Sequence, residues 1–335
     1  MTIAARIVST GLGVPSKLVT NKDFEKMVDT NDEWIVTRTG IRERRFLDRE
    51  NGEYLETICI RAGQQALERA GLKPSDIELV ICCTTSPDTF LPNTSARLTE
   101  SLGLVNAAAF DLNAACAGFV TGLHTADVFI RSGEYKKILL FGADALSGAL
   151  NFKDRTTSVL FGDGAGAVII EAVENPNPEK DSMILGSRFY TTFDKKGSLC
   201  LMAGASRTPF WHEDYNTKIF PYITMNGQDV FKEASRSMMQ AAQDVLKKCN
   251  VSAADVKWFV PHQANLRIIE MVARLLDFPM ERVYVNVDRW GNTSAATVPT
   301  CLAEMEEKGL LKRGDLVLMD VFGGGFTYGA TLARW

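Results

Sequence analysis

The chain is expected to fold as an α/β protein with mainly parallel sheets, and three features of its 335 residues carry that expectation. Apolar runs of strand length alternate with amphipathic stretches of helical period along the whole chain, the pattern left by crossover connections. Most of the runs are near-continuous in Val, Ile and Leu, as strands covered on both faces require. The two halves also repeat similar segments, which points to a duplicated unit.

In chain order, strands are expected at 77–83, 107–112, 138–142, 167–172, 256–260, 283–287 and 316–321. A helix from Ala117 places Phe119, Leu123, Ala126 and Ile130 on one side, and a helix after Asn265 does the same with Leu266, Ile269, Ala273 and Leu276. A third, over 231–249, carries Phe231, Met238, Ala242 and Val245 at that spacing. Core packing is the expected role of these side chains. The segments SDIELVICCTT and ADVKWFVPHQA each run from an acidic residue into a buried strand, and FGDGAGAVIIEA and FGGGFTYGATLARW each set a glycine cluster before a terminal strand. The boundary is placed in the polar, proline-rich ENPNPEKD, giving halves 1–172 and 173–335.

Bulk composition excludes several classes of function. With 46% hydrophobic and 23% charged residues the chain is not a disordered one. A net charge of −4 argues against a nucleic-acid surface. Seven scattered cysteines without a C-x-x-C form neither a disulfide framework nor a zinc knuckle, and fit a reducing compartment. The first fifteen residues lack the basic and apolar regions of an export signal, and no apolar stretch of about eighteen residues occurs. The expectation is a soluble cytoplasmic protein with no nucleic-acid or membrane partner.

Three polar residues follow strands and lead into helices: Cys116 after FDLN, His262 after KWFVP and Asn292 after VYVNVDRWG. Sites in open parallel sheets assemble beyond such strand ends, so the three can meet in one pocket. Small neighbours in NAACAGF leave room for a substrate beside Cys116, and a helix start favours a thiolate. A buried structural cysteine is the other reading of Cys116 from local context, and the one given to Cys82 and Cys83. Asn292, ahead of Thr and Ser, is either a helix cap or a site residue. Pro299 in the helix that follows predicts a local bend near Ala295. His124 lies mid-helix, His212 belongs to a loop, and no histidine pair has metal-ligand spacing, so no metal is expected. The clusters at Gly11 and Gly13, 162–166 and 323–325 match no nucleotide fingerprint. The last either brings a backbone amide close to a substrate carbonyl or forms a tight turn.

The motifs DEWIVTRTGIRERR, NAACAGF, FGDGAGAV, PHQANLRI, DRWGNTSAATVP and FGGGFTYGATLARW, spread over nearly the whole chain, together resemble the β-ketoacyl-acyl carrier protein synthase III family of thiolase-like condensing enzymes. The resemblance implies a thiolase-like fold of two duplicated halves, with mixed, largely parallel sheets in α-β-α-β-α layers, and a homodimer. It implies catalysis by Cys116, His262 and Asn292, with an oxyanion hole from the amides of Cys116 and Gly324. An acyl-coenzyme A starter would be transferred to Cys116 and condensed with malonyl-acyl carrier protein, the coenzyme A thioester being a substrate and no cofactor being needed. Trp34 and Arg155 would sandwich adenine, Arg38 and Arg267 would meet phosphates, and Phe231 and Phe322 would line the substrate channel. Lys232, Arg267 and Arg274 would dock the acidic carrier protein; the plain alternative for each is a solvated surface charge.

The chain departs from the family pattern at Gln228, where an Asn often contacts pantetheine, at Leu91, where a bulky Phe commonly closes the acyl pocket across the dimer, and over 191–222, which is long and aromatic-rich. Rival readings are a papain-like thiol hydrolase, disfavoured by the surroundings of Cys116, and a starter-unit synthase or acyltransferase of a specialised polyketide pathway on the same scaffold.

Overall fold

The computed structural model describes residues 2–202, 206, 209 and 222–335; His212 and most of its loop lie outside them. The apolar runs form two sheets. The first has the order Ile3–Gly13, Asp163–Glu174, Lys137–Ala145, Leu79–Cys83, Ala108–Leu112. In it Asp163–Glu174 is antiparallel to both neighbours and Leu79–Cys83 parallel to both of its own. The second sheet, Met183–Thr191, Thr327–Arg334, Leu316–Gly323, Trp258–Pro261, repeats this. Thr327–Arg334 is antiparallel to both neighbours, and Trp258–Pro261 is parallel to Leu316–Gly323. A parallel bridge between Phe259 and Val283 stands where the first sheet has its fifth strand.

The sheets are therefore mixed, with a smaller parallel share than the apolar runs suggested. The strand containing or following each glycine cluster lies antiparallel beside the strand before it, and periodicity does not report strand direction. The strand expected at 283–287 is a second difference. Only Val283 bridges, and Val287 already begins the helical turn Val287–Trp290. Gln263 explains this, because its side-chain oxygen accepts from the amides of Asn286 at 3.0 Å and Val287 at 3.2 Å, donors that a ladder would need.

Three buried clusters define five layers. Helix Leu55–Ala70 covers the outer face of the first sheet through Ile58 and Ala62 against Val80, Phe141 and Ile169. Helices Gly118–Ser132 and Thr297–Glu307 lie between the sheets, where Phe119, Leu123, Val298 and Leu302 meet Ile81 and Leu140 of one and Val260 and Met319 of the other. Helices Gly227–Cys249 and Leu266–Leu275 cover the far side through Met238, Ala242, Val245 and Ile269 against Leu318 and Leu332. Gly227–Cys249 starts earlier than the apolar period indicated because Asn226 caps it, accepting from the amides of Gln228 and Asp229. Pro299 falls in the first turn of its helix, where no intrahelical amide bond is lost, and the irregular backbone is a 3-10 turn, Ser294–Ala296, ahead of it.

The central layer is tight where the halves meet. A Cβ on Gly142 would lie 2.4 Å from the carbonyl oxygen of Ala295 and 2.9 Å from Cβ of Phe119. Gly142→Ala is accordingly expected to destabilise the fold by about 1–3 kcal/mol, the usual cost of overpacking, read as a lower urea midpoint at unchanged slope.

Candidate active site

Two turns of the same construction lead into the central helices. In the first, Asn113 Oδ1 accepts from the amide of Ala115 at 3.1 Å, Ala115 has φ +48°, and Ala115–Ala117 forms a 3-10 turn before Gly118–Ser132. In the second, Asn292 Oδ1 accepts from the amide of Ser294 at 2.9 Å, Ser294 has φ +53°, and Ser294–Ala296 forms the 3-10 turn before Thr297–Glu307. The first turn delivers the side chain of Cys116. The second delivers Asn292 itself, whose oxygen is held by the turn so that its NH2 remains to donate.

His262 follows the strand Trp258–Pro261, its amide donating to the carbonyl of Asp320 at 2.7 Å. Its Nδ1 lies 2.7 Å from the hydroxyl of Thr297, which is also 3.0 Å from the carbonyl oxygen of Ser294. One hydroxyl proton at those two distances accommodates either imidazole tautomer and leaves Nε2 for the site.

Cys116, His262 and Asn292 line one cavity of about 210 Å³, together with Ser294, Phe322 and Gly324. Leu146, Leu160, Phe161, Ile223 and Met238 make much of its wall apolar, and Leu199–Cys200, within 191–222, lines it as well. Burial sets the protonation states. Burial pushes the Cys116 thiol up to about 12, against a hydrogen bond from Ser294, with the charge of Asp144 adding to the rise. Burial also brings His262 down to about 3. A helix start favours a thiolate, but burial and the charge of Asp144 raise the Cys116 thiol, and the resting pair is a neutral thiol and a neutral imidazole.

The end of strand Leu316–Gly323 abuts the Cys116 turn. A Cβ on Gly323 would stand 2.8 Å from the amide nitrogen of Cys116, a distance only glycine permits, and Gly324 follows it into the cavity wall.

Phe231 lines the cavity, with the guanidinium carbon of Arg267 6.0 Å from its ring centre. Trp34, Arg38 and Arg155 form a separate cluster, tied to the cavity through Asn265, which lines it and donates to the carbonyl of Arg38 at 3.1 Å. Both guanidiniums already stack on the Trp34 indole, at 4.5 Å for Arg38 and 4.8 Å for Arg155. At that separation no base fits between Trp34 and Arg155. Lys232, Arg267 and Arg274 are exposed on the two outer helices, Gln228 is exposed in the first turn of Gly227–Cys249, and Leu91 is 89% exposed.

Sequence reading missed the groups that hold this geometry. Asp144, fully buried, accepts from the amide of Thr85 at 2.8 Å and the hydroxyls of Thr84, Thr85 and Ser86, and reaches across to the amide of Ala295 at 3.1 Å. Glu304 accepts from Arg289, Trp290, Asn286 and Tyr284, fixing the segment before Asn292 to the helix after it. Arg289 and the other donors hold its carboxyl below the usual range despite burial. The backbone of Asn292 pairs with the other half, giving its amide to Leu160 at 2.8 Å and accepting from Gly162 at 3.0 Å.

Family models described as 3-oxoacyl-[acyl-carrier-protein] synthase III match residues 110–191, and its C-terminal part residues 246–335. A β-ketoacyl-[acyl-carrier-protein] synthase III of Caldanaerobacter subterraneus subsp. tengcongensis is 44% identical over 99% of this chain and 98% of its own. The same-named protein of a Roseiflexus species is also 44% identical, over 99% and 98%. The crystal structure of 3-oxoacyl-[acyl-carrier-protein] synthase III from Aquifex aeolicus VF5 superimposes with a TM-score of 0.88 at 41% identity, covering 99% of this chain and 100% of that one. The chain belongs to the 3-oxoacyl-[acyl-carrier-protein] synthase III family, acyl-transferring condensing enzymes of thiolase-like fold.

Proposed function

We propose that the protein starts fatty-acid synthesis by joining an acyl-coenzyme A starter to malonyl-acyl carrier protein, with Cys116 as the acyl carrier. The observation that carries this reading is the single dry cavity lined by Cys116, His262 and Asn292. In the first half-reaction the thiol proton passes to His262 Nε2 as sulfur attacks the thioester carbonyl. The oxyanion rests on the amides of Cys116 and Gly324, the C–S bond to coenzyme A breaks, and its thiolate takes the proton from the imidazolium. A covalent intermediate divides one substitution into two easier ones.

In the second, malonyl-acyl carrier protein loses carbon dioxide, and the bond pair becomes an enolate whose oxygen accepts from Asn292 Nδ2 and from His262 Nε2–H, with Thr297 turned to Nδ1. The enolate carbon attacks the acyl carbonyl on Cys116, and collapse of the tetrahedral intermediate expels the sulfur as a thiolate, which takes up one proton from solvent to restore the resting thiol. Decarboxylation itself supplies the carbanion, so no cofactor is needed; neutral donors in a dry cavity are worth about 3 kcal/mol each. Phe322 shields the malonyl group from water.

The finer assignments share this status. Adenine would enter between Trp34 and Arg155 once Arg155 leaves the indole, with Arg38 and Arg267 on phosphates. Lys232, Arg267 and Arg274 would receive the acidic carrier protein. A homodimer is supported by the edge strand Ala108–Leu112 and by the exposure of Phe90 (68%), Leu91 (89%) and Val105 (81%), which a second copy would cover. Residues 1–172 and 173–335 would be its two folding units, with the chain crossing between the sheets at 175–182. All seven cysteines are free, in keeping with a reducing cytoplasm. No described helix is long and apolar enough to cross a membrane.

Cys116→Ser should form no acyl adduct with acyl-coenzyme A by intact mass. Asn292→Ala should load normally and lose about a hundredfold or more in condensation; a variant that condenses at the native rate would refute the division of labour. Arg155→Ala should weaken coenzyme A about fivefold by titration calorimetry, the worth of one stacked guanidinium; unchanged affinity rejects its stacking role. His262, brought down to about 3, should keep its imidazole proton shifts constant from pH 8 to pH 5. Because its folded value lies below its unfolded value of 6.5, the unfolded state binds more protons on acidification, so stability contributed at pH 7 is lost as pH falls from about 6.5 towards 3. The drop in melting temperature between pH 7.5 and pH 5 should therefore be smaller in His262→Asn.

A further inference from the structure

We propose that Ser294 is a catalytic residue whose hydroxyl donates a hydrogen bond to the Cys116 sulfur and stabilises the thiolate formed as the acyl donor is attacked. This rests on the reading of Cys116 as the nucleophile. Ser294 is 1% exposed, lines the cavity, and places its Oγ 3.3 Å from Cys116 Sγ.

The surrounding bonds leave that hydroxyl a single task. The amide of Ser294 is spent on Asn292 Oδ1 at 2.9 Å, its carbonyl accepts from Thr297 at 3.0 Å, and the following amide, of Ala295, donates to Asp144 at 3.1 Å. The backbone is thereby held at φ +53°, which favours glycine and disfavours residues bearing a Cβ. Among the described residues, three of the other four non-glycine residues with positive φ are Asn or Asp, which tolerate it; the fourth is Ala115, at the matching place in the other turn. A serine here accepts backbone strain and supplies an O–H that alanine or glycine would not.

The reaction needs such a donor in its first half. Sulfur must become anionic in an apolar cavity, with the Asp144 carboxylate nearby opposing it, and the imidazole that takes the proton is itself neutral and buried. A hydroxyl at the sulfur offsets part of that cost and leaves Asn292 and Nε2 for the second substrate. Once Cys116 is acylated its thioester sulfur is a poor acceptor, and the thiolate reappears only after decarboxylation and carbon–carbon bond formation, so the hydroxyl matters more for loading than for condensation.

Ser294→Ala and Ser294→Gly test this, the glycine variant removing the hydroxyl while relieving the strained backbone. Three rates are compared with the native protein: adduct formation on Cys116 from acyl-coenzyme A by intact mass, iodoacetamide alkylation of Cys116 against pH, and single-turnover condensation by pre-acylated protein. Both variants are expected to load about tenfold more slowly, as for loss of a hydrogen bond to a charged group. Their alkylation profiles should move to higher pH, and condensation should be slowed less than loading. Native-rate loading in Ser294→Gly, whatever the alanine variant does, would show that backbone strain and not the hydroxyl matters, and would overturn the proposal. Equal losses in loading and condensation would overturn it as well. If the native protein itself forms no adduct on Cys116, the nucleophile assignment fails and takes this role with it; loading by native protein with no defect in the variants rejects the role of Ser294 alone.

Discussion

The site exists because two backbone turns press against the opposite half of the molecule with no side chain between. Gly142, on a strand of the first sheet, lies under the carbonyl of Ala295, and Gly323, on a strand of the second, lies under the amide of Cys116. Each half thus seats the turn of the other. Gly118 and Ala295 then come within van der Waals reach, a Cβ on the former lying 3.3 Å from that of the latter. Asp144 adds the one charged bond across this contact, to the amide of Ala295. A shift of either half would move the thiol and the amide donor apart together.

The same close packing decides the electrostatics. The sulfur and the imidazole are both buried, so both rest uncharged. The fixed donors keep their alignment because their other atoms are already held: Asn292 Oδ1 by its own turn, and His262 Nδ1 by the Thr297 hydroxyl, whose one proton goes to Nδ1 or, when Nδ1 is itself protonated, to the carbonyl of Ser294. Preorganised neutral dipoles in a dry cavity can stabilise a transient enolate without holding a resting anion.

Much of this was legible in the chain. Near-continuous apolar runs gave the buried strands, helical spacing gave the faces of one central and two outer helices, and internal likeness between glycine-rich segments pointed to the duplication, because each of these reflects burial repeated along the sequence. Strand direction was not legible, since an antiparallel return and a crossover leave similar apolar runs. The 283–287 segment misled because Val, Tyr and Val suit a strand, while the competing hydrogen bonds come from Gln263, distant in sequence. Cys116, His262 and Asn292 stood out through motif and position at strand ends. Asp144, Glu304 and Ser294 did not, because a buried carboxylate or hydroxyl announces itself only through partners that folding brings together. The resting charge of Cys116 was not legible for a related reason: a helix start is visible in sequence, whereas the depth of the cavity above it is not.

The central claim is that the meeting of the two turns creates one cavity in which an acyl group is held on Cys116 and faced by His262 and Asn292. A crystal structure of the protein acylated by its own coenzyme A thioester addresses it most directly. The account predicts electron density continuous with Cys116 Sγ, the acyl carbonyl oxygen between the amides of Cys116 and Gly324, and the chain running along the apolar wall near Leu146 and Ile223. An acyl group on any other side chain, or a carbonyl turned away from those two amides, would contradict it.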